Sequence, residues 1–192
     1  MTRNAAKLGR LVVVVGPSGA GKDTLLDYAR ARLMGTPTVR FVRRVITRPL
    51  SIGEVHEAVG ADEFVRRVNE GAFSLWWHAH GLSYGLPSSI EEWIAAGDVV
   101  VANVSRAIVP TARERFPDVS VISVGATYEV LAARLAARGR EDAEAIAARL
   151  TRGGAVGVDG PGVISIDNSG NIERAGEKLV SILSAGGHVG IS

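Results

Sequence analysis

The most constraining feature of this 192-residue chain is one continuous stretch, LVVVV followed by GPSGAGKDT, Leu11 to Thr24. Five consecutive apolar residues, four of them β-branched, predict a strand buried on both faces of a parallel sheet. After the glycines, Leu25, Leu26, Ala29 and Leu33 recur at helical spacing, with Gly35 as a helix stop. Gly16, Pro17, Ser18, Gly19, Ala20, Gly21 and Lys22 fit the phosphate-binding pattern G-x-x-x-x-G-K, set between a strand and a helix as that pattern requires. Glycines let backbone N–H groups approach phosphate oxygens, and the helix directs its positive end at the same anion. Lys22 is then the expected bridge to the β- and γ-phosphates of a bound ATP.

The pattern normally continues with Ser or Thr, whose hydroxyl helps to hold Mg²⁺; here Asp23 intervenes and Thr24 comes one place late. Two readings of Asp23 stand open. It caps the first helical turn, or it supplies oxygen ligation to Mg²⁺ directly or through water. The strand expected to carry a second metal-binding carboxylate, DVVVANVSR, ends in Asn103 and Ser105, and no Asp or Glu occurs from Val99 to Ala112. Relocated metal-binding charge follows from the second reading.

Four more β-type runs, Val39 to Val42, Val99 to Val101, Val119 to Val124 and Val163 to Ile166, alternate with helical stretches at Ser88–Ala96, Arg106–Arg115, Tyr128–Ala137, Asp142–Leu150 and Ile172–Leu183. This alternation predicts an α/β fold: a five-stranded parallel sheet flanked by helices. Residues 43–86 break the rhythm with the short helix DEFVRRVNEG and the run FSLWWHAHGLSYG, whose alternation predicts antiparallel strands, and they are read as a small substrate-binding insertion. ARGREDAEAIAARLTRGG is an Arg-rich segment expected to form a lid over residues 137–154, and the tail SAGGHVGIS is expected to fray.

Composition sets outer bounds. With 46% hydrophobic residues the chain is globular, and with no Cys it has no thiol or disulfide chemistry. A formal charge of +2 demands no nucleic-acid partner, despite a pI near 9.3. Apolar runs are too short to span a membrane, and LVVVV is too short for a signal peptide, so a cytoplasmic protein is expected. Self-association into a homodimer is left open.

The order GPSGAGK, ITRP with Gly53–Glu54, HGLSYG, DVVVANVS and RLAARGR resembles the guanylate kinase family of P-loop kinases from about residue 10 to residue 184, a single domain. That family typically reads T-T-R-x-x-R-x-G-E, both arginines holding the nucleoside monophosphate. This chain reads I-T-R-P-L-S-I-G-E, so Arg48 matches the first arginine and Ser51 stands at the second. The carboxylate with which that family reads guanine is also missing from ANVSRA. GKD, VITRP, HGLSYGLP, NVSRA and LAARGRE instead resemble the ribose 1,5-bisphosphate phosphokinases of bacterial phosphonate utilisation. The resemblance implies transfer of the ATP γ-phosphoryl group to a small phosphorylated sugar, giving 5-phosphoribosyl 1-diphosphate (PRPP). GGEDH is expected after ITRP; the chain has IGEVHEA, with Val55 at the acidic position.

On these grounds Arg48 is the candidate grip on the acceptor phosphate, with Arg43 and Arg44 behind it, since guanidinium holds phosphate bidentately. The resemblance implies that Tyr84 donates its hydroxyl to the same phosphate. Glu54 is the candidate to orient a ribose hydroxyl, and Ser105 is a further candidate for substrate binding. Arg134 and Arg138, four apart on a helix, with Arg140 and Arg149 beyond, are candidate arginine fingers for the transferring group. IDNSG, Ile166 to Gly170, is expected on the adenine side. Packing is the expected role of Trp76 and Trp77, and neither His78 nor His80 is expected at the substrate. Two other functions compete: a GMP-phosphorylating guanylate kinase, and a non-catalytic module of the same fold.

Overall fold

The structure, a computed structural model, describes residues 9–49, 55–137 and 162–185. Ser51, Gly53, Glu54, Arg138, Arg140, Arg149, most of the expected lid, the Asp142–Leu150 helix and all but the first two residues of the tail lie outside them.

The elements follow the alternation of the sequence. Strand β1 (Arg10–Val15) leads to α1 (Lys22–Arg32) and β2 (Val39–Phe41). Then come β3 (Arg44–Ile46), β4 (His56–Ala58), α2 (Ala61–Asn69), β5 (Phe73–Ala79), β6 (Leu82–Pro87) and α3 (Ser89–Ala95). The chain continues through β7 (Val99–Asn103), a 3₁₀ turn (Arg106–Ile108), α4 (Val109–Arg115), β8 (Val119–Gly125) and α5 (Tyr128–Ala137). Strand β9 (Val163–Asp167) and helix α6 (Ile172–Ser184) follow among the described residues. Five strands form one sheet in the order β2-β7-β1-β8-β9, with β2–β7 and β8–β9 parallel. Every residue of β1 is buried, as a strand in the middle of a sheet covered by helices must be. The α/β expectation with a five-stranded parallel sheet therefore holds.

The chain groups into two compact units, one running to Val13 and resuming over Thr36–Ser120, the other formed by Val14–Gly35 and the chain from Val121 onward. The first contains a second sheet, in the order β4-β3-β6-β5. Strands β5 and β6 are antiparallel, as the alternation predicts, and so are β3 and β6, but β3 and β4 pair in parallel. The sequence gives no warning of that parallel pair, because each strand is only three residues long and so has almost no periodicity to read. The small core here is Val45, Phe64 and Phe73, the two rings stacked with centroids 4.9 Å apart. Helix α2 presents Phe64 inward and an exposed charged face on which Glu63 meets both Arg66 and Arg67.

In the second unit α1 packs on α6. Gly176 makes this possible, because a Cβ there would stand 2.4 Å from the Tyr28 ring. The Tyr28 hydroxyl and Arg32 Nε both donate to Glu177 Oε1, each at 2.7 Å, and join the same two helices.

Candidate active site

The phosphate loop belongs to the second unit, between the end of β1 and the first turn of α1. Its glycines answer to neighbours within the protein. A Cβ on Gly16 would lie 2.1 Å from the Val124 carbonyl oxygen, so only glycine lets the loop leave β1 beside β8. Gly21 has φ +81°, and a Cβ there would stand 2.5 Å from Asn168 Nδ2. Lys22 Nζ donates to the carbonyl oxygens of Gly16 and Pro17, at 2.8 and 3.0 Å, which folds the ammonium back over the loop it is expected to serve.

Asp23 is not the N-cap of α1. That position is Gly21, without a side-chain cap, and Asp23 is the second helical residue, exposed to solvent. The capping reading is thereby corrected to a weaker one: a carboxylate in the first turn, favoured by the helix dipole. Thr24 follows and is also exposed. No group of three or more His, Asp or Glu able to hold a metal occurs among the described residues. Mg²⁺ does not require one, since it commonly takes one or two carboxylates together with phosphates and waters. A single exposed carboxylate beside Lys22 suits that mode of binding.

Arg134, on α5, is half-buried against this loop. Its Nη2 donates to the Asn168 carbonyl at 2.9 Å and its Nη1 to the Gly19 carbonyl at 3.4 Å. Asn168 belongs to the IDNSG loop expected on the adenine side. It is 1% exposed, and its Nδ2 donates to the Ala20 carbonyl at 2.7 Å. Next to it, Asp167 accepts from both the backbone N–H and the hydroxyl of Ser169, which hold its carboxyl below the usual range. The Ser169 hydroxyl oxygen in turn accepts from Thr127 N–H at 2.8 Å. The second unit thus brings together the phosphate loop, Lys22, Asp23, Arg134 and the loop after β9.

The acceptor-side candidates belong to the first unit. Arg48 follows β3, and its carbonyl lies 3.1 Å from Nε2 of His56. A carbonyl can only accept, so that ring nitrogen carries the proton. His56 is 1% exposed, and its own carbonyl accepts from Arg43 Nη2 at 3.1 Å, so this histidine ties both arginine-bearing residues to β4. Sequence reasoning passed over His56, since one histidine within EVHEA carries no periodic or spacing signal. Thr47 fixes the same segment to β6: its Oγ1 accepts from Ser83 N–H at 2.8 Å and its N–H donates to the Ser83 carbonyl at 3.1 Å.

Tyr84 is half-buried, stacked on Trp77 with centroids 5.3 Å apart and planes 7° apart, and the Arg44 guanidinium lies 6.0 Å over its ring. Trp77 is 7% exposed, as packing predicts, but Trp76 is 43% exposed and meets His78 edge-on, which corrects the expectation that both pack. Their opposite fates follow from the alternation of side chains along β5. His78 Nδ1 pairs with the Ser83 hydroxyl at 2.8 Å, and His80 occupies the tight turn between β5 and β6 with φ +53°. Ser105 caps the 3₁₀ turn, its Oγ accepting from Ala107 N–H at 3.4 Å. Asn103 is buried at the end of β7.

No helix among the described residues is long and apolar enough to cross a membrane. No protein-family model matches the chain. Among solved structures it is similar to guanylate kinase from Anaplasma phagocytophilum, with TM-score 0.62, 21% identity and 93% of this chain and 86% of that one covered. It is also similar to a gluconokinase from Sinorhizobium meliloti, with TM-score 0.52, 16% identity and 93% of each chain covered. Both likenesses speak for the fold alone. Among curated proteins it is 54% identical over 175 residues to ribose 1,5-bisphosphate phosphokinase PhnN of Acidiphilium cryptum, covering 91% of this chain and 92% of the relative. It is 46% identical over 174 residues to the protein of that name from Agrobacterium fabrum, covering 90% and 95%. Identity of this depth, extending through both units, is far beyond what a shared fold alone requires, and the chain belongs to the ribose 1,5-bisphosphate phosphokinase family.

Proposed function

We propose that this protein transfers the γ-phosphoryl group of ATP to the 1-phosphate of ribose 1,5-bisphosphate. A phosphate oxygen on C1 attacks the γ-phosphorus, the bond to the β-phosphate oxygen breaks, and ADP leaves; the product is PRPP. The observation that carries this reading is the 46–54% identity to relatives of that name, which spans the phosphate loop and the acceptor-side segments together.

The residues supply charge neutralisation and positioning, which phosphoryl transfer needs more than covalent catalysis. Residues Gly16 to Thr24 hold the triphosphate, and Lys22 leaves the loop carbonyls for the β- and γ-phosphates. Arg134, poised beside Gly19, adds positive charge at the loop, and Arg138 and Arg140 serve the transferring group as arginine fingers. Asp23, with the ATP phosphates, would hold Mg²⁺, whose charge would offset that of the transferring group. Arg48 and Tyr84 take the acceptor's phosphate, Glu54 a ribose hydroxyl, and Ser105 a further sugar contact.

The experiment is a panel of acceptors followed by ADP release. Ribose 1,5-bisphosphate should give robust turnover. GMP should give little, since Ser51 and the carboxylate-free ANVSRA leave nothing to select guanine. Robust GDP formation without activity on the sugar bisphosphate overturns the reading, and failure with every acceptor favours the non-catalytic module.

A further inference from the structure

Asn168 is a polar residue placed at some cost. It is 1% exposed, and its Oδ1 is buried with no hydrogen-bond partner. Buried polar atoms are generally paired, so a site that tolerates an orphan acceptor has another reason to keep the residue. The donor end supplies that reason, because Nδ2 grips the Ala20 carbonyl at 2.7 Å. A trans peptide is planar, so its C=O and the following N–H point in opposite directions. Holding the Ala20 carbonyl therefore fixes the direction of Gly21 N–H, the donor immediately before Lys22. Arg134 holds the Gly19 carbonyl one peptide earlier, with Nη1 at 3.4 Å, while the Ala20 N–H donates to the Pro17 carbonyl within the loop at 3.3 Å. The two grips are joined, since Arg134 Nη2 also binds the backbone carbonyl of Asn168 at 2.9 Å. Asn168 is itself pinned to β8, its N–H donating to the Gly125 carbonyl at 2.8 Å. Gly21 completes the arrangement, because any Cβ there would collide with the amide.

We infer that Asn168 is a positioning residue of the phosphate site: its amide, locked on the Ala20 carbonyl, aims Gly21 N–H at the polyphosphate. It acts through the loop backbone and touches no substrate. The inference rests on the ATP-binding part of the proposed function and adds a residue whose role is specific to phosphate rather than to the base.

Asn168→Asp keeps the size and loses the donor, and Asn168→Leu removes both polar atoms at similar volume. Binding of MgATP, of inorganic tripolyphosphate and, separately, of ribose 1,5-bisphosphate is measured calorimetrically on each variant, alongside thermal melts. ATP and tripolyphosphate should weaken together, on the order of ten-fold, the scale of one well-placed hydrogen bond to a charged ligand. The sugar bisphosphate should bind as it does to wild type. Should Asn168→Leu fail to fold, the isosteric Asn168→Asp carries the test. Wild-type affinity for tripolyphosphate in a folded variant overturns the assignment, as does an equal loss for all three ligands, which marks general loosening. A wild-type protein that binds neither ATP nor tripolyphosphate removes the phosphotransferase reading itself, a different result from the failure of Asn168 alone.

Discussion

Asp23→Asn separates a carboxylate that serves the helix from one that serves a metal. Asp23 is the second residue of α1, exposed, and not at the N-cap. Loss of its charge removes a first-turn dipole interaction of about 0.3–1 kcal/mol. In a protein of this size that corresponds to a fall in Tm of at most about 4 °C. The metal interaction proposed for Asp23 is larger. A carboxylate about 5 Å from a divalent cation, through water at the dielectric of an exposed site, contributes roughly 1.7 kcal/mol. Removing it should raise the Mg²⁺ concentration for half-maximal rate on the order of ten-fold. The assay is a Mg²⁺ titration of ADP release at saturating ATP, wild type against Asp23→Asn, with melts in parallel. A large shift in the titration with a small shift in Tm is expected. Superimposable titrations refute the reasoning and leave Asp23 as a helix-dipole residue.

Three further outcomes follow from single side chains. Lys22→Ala should lower kcat by a factor on the order of 10² or more in a protein that stays folded, since developing charge loses its fixed counter-charge; near-normal turnover contradicts this. Gly85→Ala should destabilise by about 1–3 kcal/mol, because the new Cβ would meet the Phe73 ring at 2.6 Å and disturb its stack on Phe64; a denaturant midpoint unchanged from wild type contradicts it. Glu63, whose carboxyl is held down to about 2 by the hydrogen bonds from Arg66 and then Arg67, contributes stability that is present above its ordinary value of 4.5 and is lost as pH falls through about 2. Glu63→Gln should flatten that part of the pH–stability curve, with a small effect because the network is exposed, and a wild-type slope between pH 4.5 and 2 would show that Glu63 is not its source.

Features of this molecule were legible where one local pattern sufficed. LVVVV read as a buried parallel strand from its β-branched run, the glycine spacing named the phosphate loop, and the β5–β6 hairpin followed from alternation across a turn that His80 and Gly81 form with positive φ. Features made by long-range contact were not legible. Asn168 meets Ala20 across 148 positions, and within IDNSG, read only as an adenine-side loop, nothing marks a contact with the phosphate loop. His56 is bound to the Arg48 carbonyl from a three-residue strand whose parallel partner could not be foreseen. The capping alternative for Asp23 arose because the sequence shows an acidic residue at a helix start, but not that Gly21 takes the cap position in a left-handed conformation. Trp76 and Trp77 illustrate both sides: alternation separates them, yet only the fold decides which is buried.

The central claim is the identity of the acceptor atom, and label transfer tests it most directly. Wild-type protein is given γ-³²P-labelled ATP with equimolar ribose 1,5-bisphosphate and GMP, and the products are separated and identified. Label should appear in PRPP, at the terminal phosphate of its 1-diphosphate, with little in GDP. Label found mainly in GDP, or only in inorganic phosphate, would contradict the account.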